Sequence, residues 1–174
     1  MDDLMTARLV LHPLTVAEAE RLVAGRPGEA DRWAPGYPME GDVSAARRFL
    51  GARGGDEGAH PGAYEIRLRG DGCAVGGVDF HGPPDAQGSL TIGYGLVPAA
   101  QGKGYASEAL RALLVSARER GFARVKGGAD HDNVASHRVM TAAGMQPVGR
   151  DKRVRYYETA WGDGGPEPCA AAPP

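Results

Sequence analysis

Between positions 89 and 120 the apolar residues change their period, and the change separates a strand from a helix. Leu90, Ile92, Tyr94 and Leu96 alternate with Thr91, Gly93 and Gly95, the two-residue period of a strand with one buried face. Pro98 ends it, having no N–H to give to a ladder. Beyond Gln101-Gly102-Lys103-Gly104-Tyr105-Ala106, the residues Ala106, Ala109, Leu110, Leu113, Leu114 and Ala117 recur at helical spacing and form one apolar face. The turn between the two elements thus presents unpaired N–H groups at the positive end of a helix, with glycines that let an anion reach the main chain. An anion, above all a pyrophosphate, is expected there.

The same patterns place the other elements. A strand is predicted over 8–11, followed by a helix capped by Thr15, with Glu18 at the capping-box position and Ala19, Leu22 and Val23 facing inward. Residues 25–42 read as loop, and its Trp33, Pro35, Tyr37 and Pro38 either cover a substrate or pack the loop itself. A second helix over 43–52 is capped by Asp42 or Ser44 and carries Ala46, Phe49 and Leu50 as its stripe. Residues 54–62 form a glycine-rich surface loop. Strands at 63–69 and 74–80 flank a tight Gly70-Asp71-Gly72 turn, and His81 after the second reads as a polar edge residue. Past the central helix, Gly121 supplies a C-terminal stop. A parallel strand over 123–129 follows by a right-handed crossover. Its Gly127 and Gly128 mark close approach of a ligand or another backbone, or an irregular strand end. Asp132 or Asn133 caps a helix over 134–143 that Gly144 ends, and 152–161 forms the last strand. One domain over 1–161 and a disordered tail over 162–174 are therefore expected.

Composition narrows the function classes. The 174 residues suit one domain with a core of its own. Twenty basic against 22 acidic residues leave a net charge of −2, so no general attraction to nucleic acid or anionic membrane is implied. There is no apolar run of spanning length and no signal peptide, so a cytoplasmic location is expected. The two cysteines, Cys73 and Cys169, lie far apart and indicate neither a disulfide framework nor a zinc site. No metal is expected.

Two familiar anion sites fail at the central turn. A nucleotide P-loop needs Ser or Thr after its Gly-Lys, but Gly104 follows Gly102-Lys103 and Val97 stands at the first glycine position. A dinucleotide fingerprint fails at Ser107 and lacks the later acidic residue. Gln101, Gly104 and Ala106 instead match Gln/Arg-x-x-Gly-x-Gly/Ala in register, and the segment resembles motif A of the GNAT acyltransferases. Asn133-x-x-Ser136-x-x-Val139-Met140-x-x-x-Gly144-Met145 resembles a signature of the branch that includes ribosomal-protein N-terminal acetyltransferases. The blocks Thr6-Ala7-Arg8-Leu9 with His12-Pro13-Leu14, and Gly76 to His81, are similar to that branch's opening and third strands. Together the blocks span roughly 6–161.

The resemblance implies an α+β fold: a mixed, twisted sheet of six or seven strands, helices on both faces, and a splayed pair of central parallel strands opening at Leu96-Val97-Pro98. It implies acetyl-CoA as co-substrate. Backbone groups of Leu96 and Val97 would bind the pantetheine arm, the turn Gln101, Gly102, Lys103, Gly104, Tyr105 and Ala106 the pyrophosphate, and Asn133 would contribute from the following helix. Lys103 either meets a phosphate or stays solvated. The acceptor would be a primary amine, of a protein N-terminus or a small molecule, and the resemblance admits a homodimer. The family's usual glutamate base is Thr91 here, and Asp79 either substitutes through water or is an exposed structural residue. Met140 stands where many members have a proton-donating tyrosine, so Ser136 is the expected donor to the departing sulfur unless it only supports the helix start, with Tyr156 or Tyr157 next. A catalytically weak acyl-CoA-binding module and an unrelated nucleotide-binding α/β protein are the alternatives, the failed phosphate motifs counting against the second.

Overall fold

The computed structural model describes residues 1–52 and 60–161. Most of the expected loop over 54–62, and the tail over 162–174 with Cys169, lie outside the described residues. In chain order the elements are β1 (Leu4–Met5), β2 (Leu9–Pro13), α1 (Val16–Ala24), α2 (Glu40–Ala52), β3 (Ala63–Leu68), β4 (Ala74–Phe80), β5 (Ser89–Leu96), a 3₁₀ turn (Pro98–Ala100), α3 (Tyr105–Glu119), β6 (Arg124–Asp130), α4 (Val134–Ala142), β7 (Met145–Arg150) and β8 (Val154–Thr159). The strands form one sheet in the order β1-β2-β3-β4-β5-β6-β8-β7. Only β5 and β6 run parallel, so the fold is the expected mixed α+β sheet.

Three elements differ from the sequence reading. The sheet has eight strands, because β1 is two residues long and β7 shows no alternation: only its Met145 is buried. Pro147 fits there because β7 is an edge strand. Helix α2 starts at Glu40, and Asp42 lies inside its first turn rather than before it. Its Oδ2 accepts the Met39 N–H at 2.8 Å, the backward half of a capping box. The capping box of α1 is complete: the Thr15 hydroxyl accepts the Glu18 N–H and the Glu18 carboxylate accepts the Thr15 N–H, with Gly25 closing the helix at φ 64°.

The core runs through the sheet, with Leu9, Leu11, Ile66, Phe80, Leu90 and Val125 meeting Leu22 of α1 and Leu110 and Leu113 of α3. The central strands separate the two helix layers. A Cβ at Gly95 or Gly77 would meet Met39 or Asp42 at the start of α2, whereas one at Gly127 would meet Met140 of α4.

Sequence alternation along β5 decides what each edge offers. Thr91 O accepts the His81 N–H and the Val97 N–H donates to Val75 O, so odd positions bond to β4. Even positions, Ile92, Tyr94 and Leu96, therefore turn their backbone groups toward β6. The parallel register with β6 covers only Ser89–Thr91 against Arg124–Lys126. From Ile92 onward β5 stays with β4 and β6 stays with β8, so the gap opens earlier than Leu96-Val97-Pro98. The wedge is visible: Ile92 and Met140 fill the space that a Cβ at Gly127 would need.

Candidate active site

The turn leading into α3 carries no side-chain cap, and its N-cap Gly104 is left-handed at φ 79°, as is Gly102 at φ 74°. The first backbone bond of the helix runs from the Glu108 N–H to Gly104 O, 3.1 Å. Among the described residues the amides from Gly102 to Ser107 have no backbone acceptor, which leaves them for an anion. The N-terminal segment holds this turn in place. Arg8 donates from Nη1 to Lys103 O at 2.8 Å and from Nε to Glu108 at 2.7 Å, its guanidinium lies 4.6 Å over the Tyr105 ring, and Thr6 donates to the same carboxylate at 2.7 Å. Glu108 loses hydration in this position, yet the bonds from Thr6 and Arg8 outweigh burial and hold its carboxyl below the usual range. Thr6 and Arg8 of Thr-x-Arg-Leu thus brace the turn before α3, while the Lys103 side chain is exposed.

Below that turn, the opening between β5 and β6 encloses a cavity of about 340 Å³ lined by Ile92, Gly93, Tyr94, Gly127 and Ala129 with Asn133, Ser136 and Met140 from α4. Asn133 caps α4 by accepting the Ser136 N–H at 3.1 Å. The half-buried Ser136 also receives the Tyr94 hydroxyl on its carbonyl, 3.2 Å, so a strand residue bridges the gap. Val97 has already committed its N–H to β4, and Leu96 O accepts Gln101 Nε2 at 3.0 Å. Tyr157 is buried and its hydroxyl bonds His137 Nδ1 at 3.1 Å, while Tyr156 bonds Asp151; neither lines the cavity.

On the other face of β5, a cavity of about 270 Å³ lies under α2. Its floor lacks side chains, because Gly77, Gly93 and Gly95 occupy the positions that would project into it. Over that floor stand Met39, Asp42, Arg48, Asp79 and His81. Tyr37, buried against the edge of Trp33 at 5.6 Å, closes one wall, so the 25–39 loop both packs and covers. Asp79 is not exposed: it is 5% accessible and pairs with Arg48 Nη2 at 2.8 Å. Burial pushes the His81 imidazole below its ordinary value, outweighing the opposing pull of Asp79 with a smaller push from Arg48, which favours its neutral form. A Cβ at Gly93 would run into both His81 Nε2 and Asp79 Oδ1. His81, Gly93 and Tyr94 line both cavities.

The turn before α3, the opened parallel pair and the two cavities with a shared wall all lie along β5. The family pattern of the acetyltransferase (GNAT) domain matches residues 8–146. The chain belongs to the GNAT acetyltransferase family. As a GNAT protein it is an acetyl-CoA-dependent acyltransferase. It is 29% identical over 119 residues, 68% of either chain, to the uncharacterized N-acetyltransferase YnaD of Bacillus subtilis (strain 168). The fold is shared with the GNAT-family acetyltransferase from Bacillus anthracis, at 23% identity and TM-score 0.64 over 90% of this chain and 97% of that one. It is shared too with RimL, a ribosomal L7/L12 alpha-N-protein acetyltransferase solved with coenzyme A, at 19% identity and TM-score 0.65 over 90% and 97%.

The GNAT motif residues divide between two places. Asn133 and Ser136 line the gap beside Ile92 to Tyr94, and Gln101 to Ala106 lie at the far end of β5 with Leu96 and Val97 between. Arg48, His81 and Tyr94 line these cavities and have no site role in the sequence reading, which takes Asp42 only as a helix cap. One signal was available for part of this set: Gly77, Asp79 and His81 share a strand period, as do Gly93 and Gly95, so glycines and chemistry-bearing residues fall on one face.

Proposed function

We propose that this acetyltransferase moves the acetyl group of acetyl-CoA onto a primary amine bound in the cavity under α2. One observation carries the reading: the cavity that suits a pantetheine arm and the cavity that holds the charged groups share the wall His81, Gly93 and Tyr94. The residues fit the co-substrate. Free amides at Gly102 to Ser107 suit a pyrophosphate, with Gln101 orienting the end of β5 and Lys103 within the same turn. The outward backbone groups of Tyr94 and Leu96 suit the pantetheine amides as an added strand would, with Asn133 on the α4 wall.

The chemistry follows from the charge states. The amine nitrogen attacks the thioester carbonyl carbon, and its proton goes to the neutral His81 imidazole. A β5 N–H facing the gap supports the oxyanion. The carbon–sulfur bond then breaks, and the Ser136 hydroxyl donates a hydrogen bond to the thiolate, whose ordinary pKa is about 8.5. The test is incubation with acetyl-CoA and a panel of primary amines, following thiol release and the acetylated amine by mass spectrometry. Amine-dependent release is expected. Tight acetyl-CoA binding with no turnover on any amine would instead favour an acyl-CoA-binding module.

A further inference from the structure

The cavity under α2 holds one negative charge more than it balances, and the surplus sits away from the point of reaction. Two buried carboxylates, Asp42 and Asp79, line the cavity, and a third, Glu65, lies behind Tyr37 beside it. Glu65 is paired with Arg67, which also reaches Glu18 at 3.0 Å, and Asp79 is paired with Arg48. Asp42 is 7% accessible and has no cationic partner among the described residues. One of its oxygens accepts the Met39 N–H; the other, Oδ1, projects over Gly77 into the cavity without a bond among the described residues. A buried carboxylate in this state is costly unless a cation joins it. The groups facing it are Tyr37 from the loop, Glu65 from β3 and Asp79 from β4. Burial, then Glu65 and Asp79, push its carboxyl up to about 6, leaving it mostly ionised at pH 7.5.

The two ends of the cavity therefore differ in net charge. At Gly93 the nearest groups are His81 Nε2 and Asp79 Oδ1; Asp79 is balanced by Arg48 and burial favours the neutral imidazole of His81, so this end has no surplus charge to hold an ammonium and admits a free amine. At Gly77, Asp42 favours an ammonium. Gly77 pairs with Gly95 and Asp79 with Gly93, so the two ends lie two strand positions apart, about 7 Å, the span of roughly three to five methylenes. Between them the walls are formed mainly by the side chains of Tyr37, Met39, Ala45 and Tyr64. A volume of about 270 Å³ suits a small molecule.

We propose that the acceptor is a compact diamine, acetylated on the amino group at Gly93 while its second, protonated amino group pairs with Asp42. This rests on the reading of the cavity under α2 as the acceptor site. The test compares 1,3-diaminopropane, 1,4-diaminobutane and 1,5-diaminopentane with propylamine, butylamine and pentylamine, and with an alanine-initiated tripeptide amide, by thiol release. The best diamine should exceed the monoamine of equal length by about 10- to 100-fold in kcat/KM, the range for one charged hydrogen bond. Asp42→Asn should collapse that ratio toward one. Calorimetry of the coenzyme A-loaded wild type with 1,4-diaminobutane and butylamine gives the same comparison without a variant. Equal rates for diamine and monoamine, or preference for the peptide, would overturn the diamine proposal and leave amine acetylation standing. Acetyl-CoA binding with no amine acetylated would overturn both.

Discussion

The cavity in the strand gap and the cavity under α2 share three residues and are built on different principles. The gap is lined by main chain, glycines and apolar side chains at Ile92, Gly93, Gly127, Ala129 and Met140, together with the uncharged polar side chains of Asn133 and Ser136 from α4. The cavity under α2 gathers Asp42, Arg48, Asp79 and His81, all charged or titratable, from one helix and one strand end. A ligand held by main chain needs few particular side chains and a particular backbone. A ligand held by buried charge needs a few side chains from distant positions, each matched or deliberately left unmatched. The first kind of site suits a co-substrate of fixed shape, and the second can distinguish acceptors.

His81 tests whether the two cavities divide the labour. His81→Gln should lower kcat/KM for the amine by about 10²- to 10⁴-fold, the range for a lost general base, with acetyl-CoA affinity unchanged in calorimetry. Because burial lowers the His81 pKa, His81 should add no limb to the wild-type pH profile above about pH 6.5, the ordinary histidine value; kcat/KM should instead climb toward about pH 10 as the free amine forms. An equal loss of acetyl-CoA affinity would place His81 with the gap instead.

Gly104 probes the other side. A side chain there must adopt φ 79°, and its Cβ would lie 3.3 Å from Arg8 Nη2, disturbing the brace of the turn. Gly104→Val should weaken acetyl-CoA by roughly 100-fold, about 3 kcal/mol, while amine binding to the folded variant is unaltered. Unchanged acetyl-CoA affinity would remove the turn from the site.

The strand–turn–helix unit was legible because two periods meet there, whereas its brace by Thr6 and Arg8 was not, because those contacts to Glu108 and Lys103 join residues about a hundred positions apart. The α1 capping box was legible too, since Thr15 and Glu18 act over three residues. The cavity under α2 was not. Asp42 looked like a preceding cap, Asp79 an exposed acid and His81 an edge residue, because only tertiary packing buries them. Strand β7 escaped because Pro147 and Gly149 break its pattern and exposure removes its alternation. The point of splaying was misplaced for a packing reason, the Ile92–Met140 wedge over Gly127.

Charge in the acceptor cavity should carry a cost in stability that the gap does not. The folded-state pKa of Asp42, about 6 against an ordinary 3.8, is raised, so its ionisation destabilises the fold increasingly as pH climbs from about 4 to 6 and constantly above that. Asp42→Asn, which can still accept the Met39 N–H, should be more stable than wild type at pH 7.5 by on the order of 2–3 kcal/mol. The difference should vanish near pH 4. Urea titrations at the two pH values measure it, and a destabilised variant at pH 7.5 would show that the carboxylate is compensated.

Ser136 gives the smallest expected effect, within the gap itself. Ser136→Ala should lower kcat by about 10- to 100-fold, as for one hydrogen bond to a developing charge, without altering acetyl-CoA affinity. A wild-type kcat would leave it only its backbone contacts, the N–H to Asn133 and the carbonyl that accepts the Tyr94 hydroxyl, and Tyr94 would be the next donor to replace.

The central claim is that the two cavities meet at His81, Gly93 and Tyr94 to bring thioester and amine together. It is tested most directly by a crystal structure with coenzyme A joined through its sulfur and an acetyl bridge to an amine nitrogen. The expected result places the sulfur against Ile92 to Tyr94 in the gap and the nitrogen beside Gly93, within hydrogen-bond reach of His81 Nε2. A nitrogen leaving the gap on the Asn133 side, with the cavity under α2 empty, would contradict it.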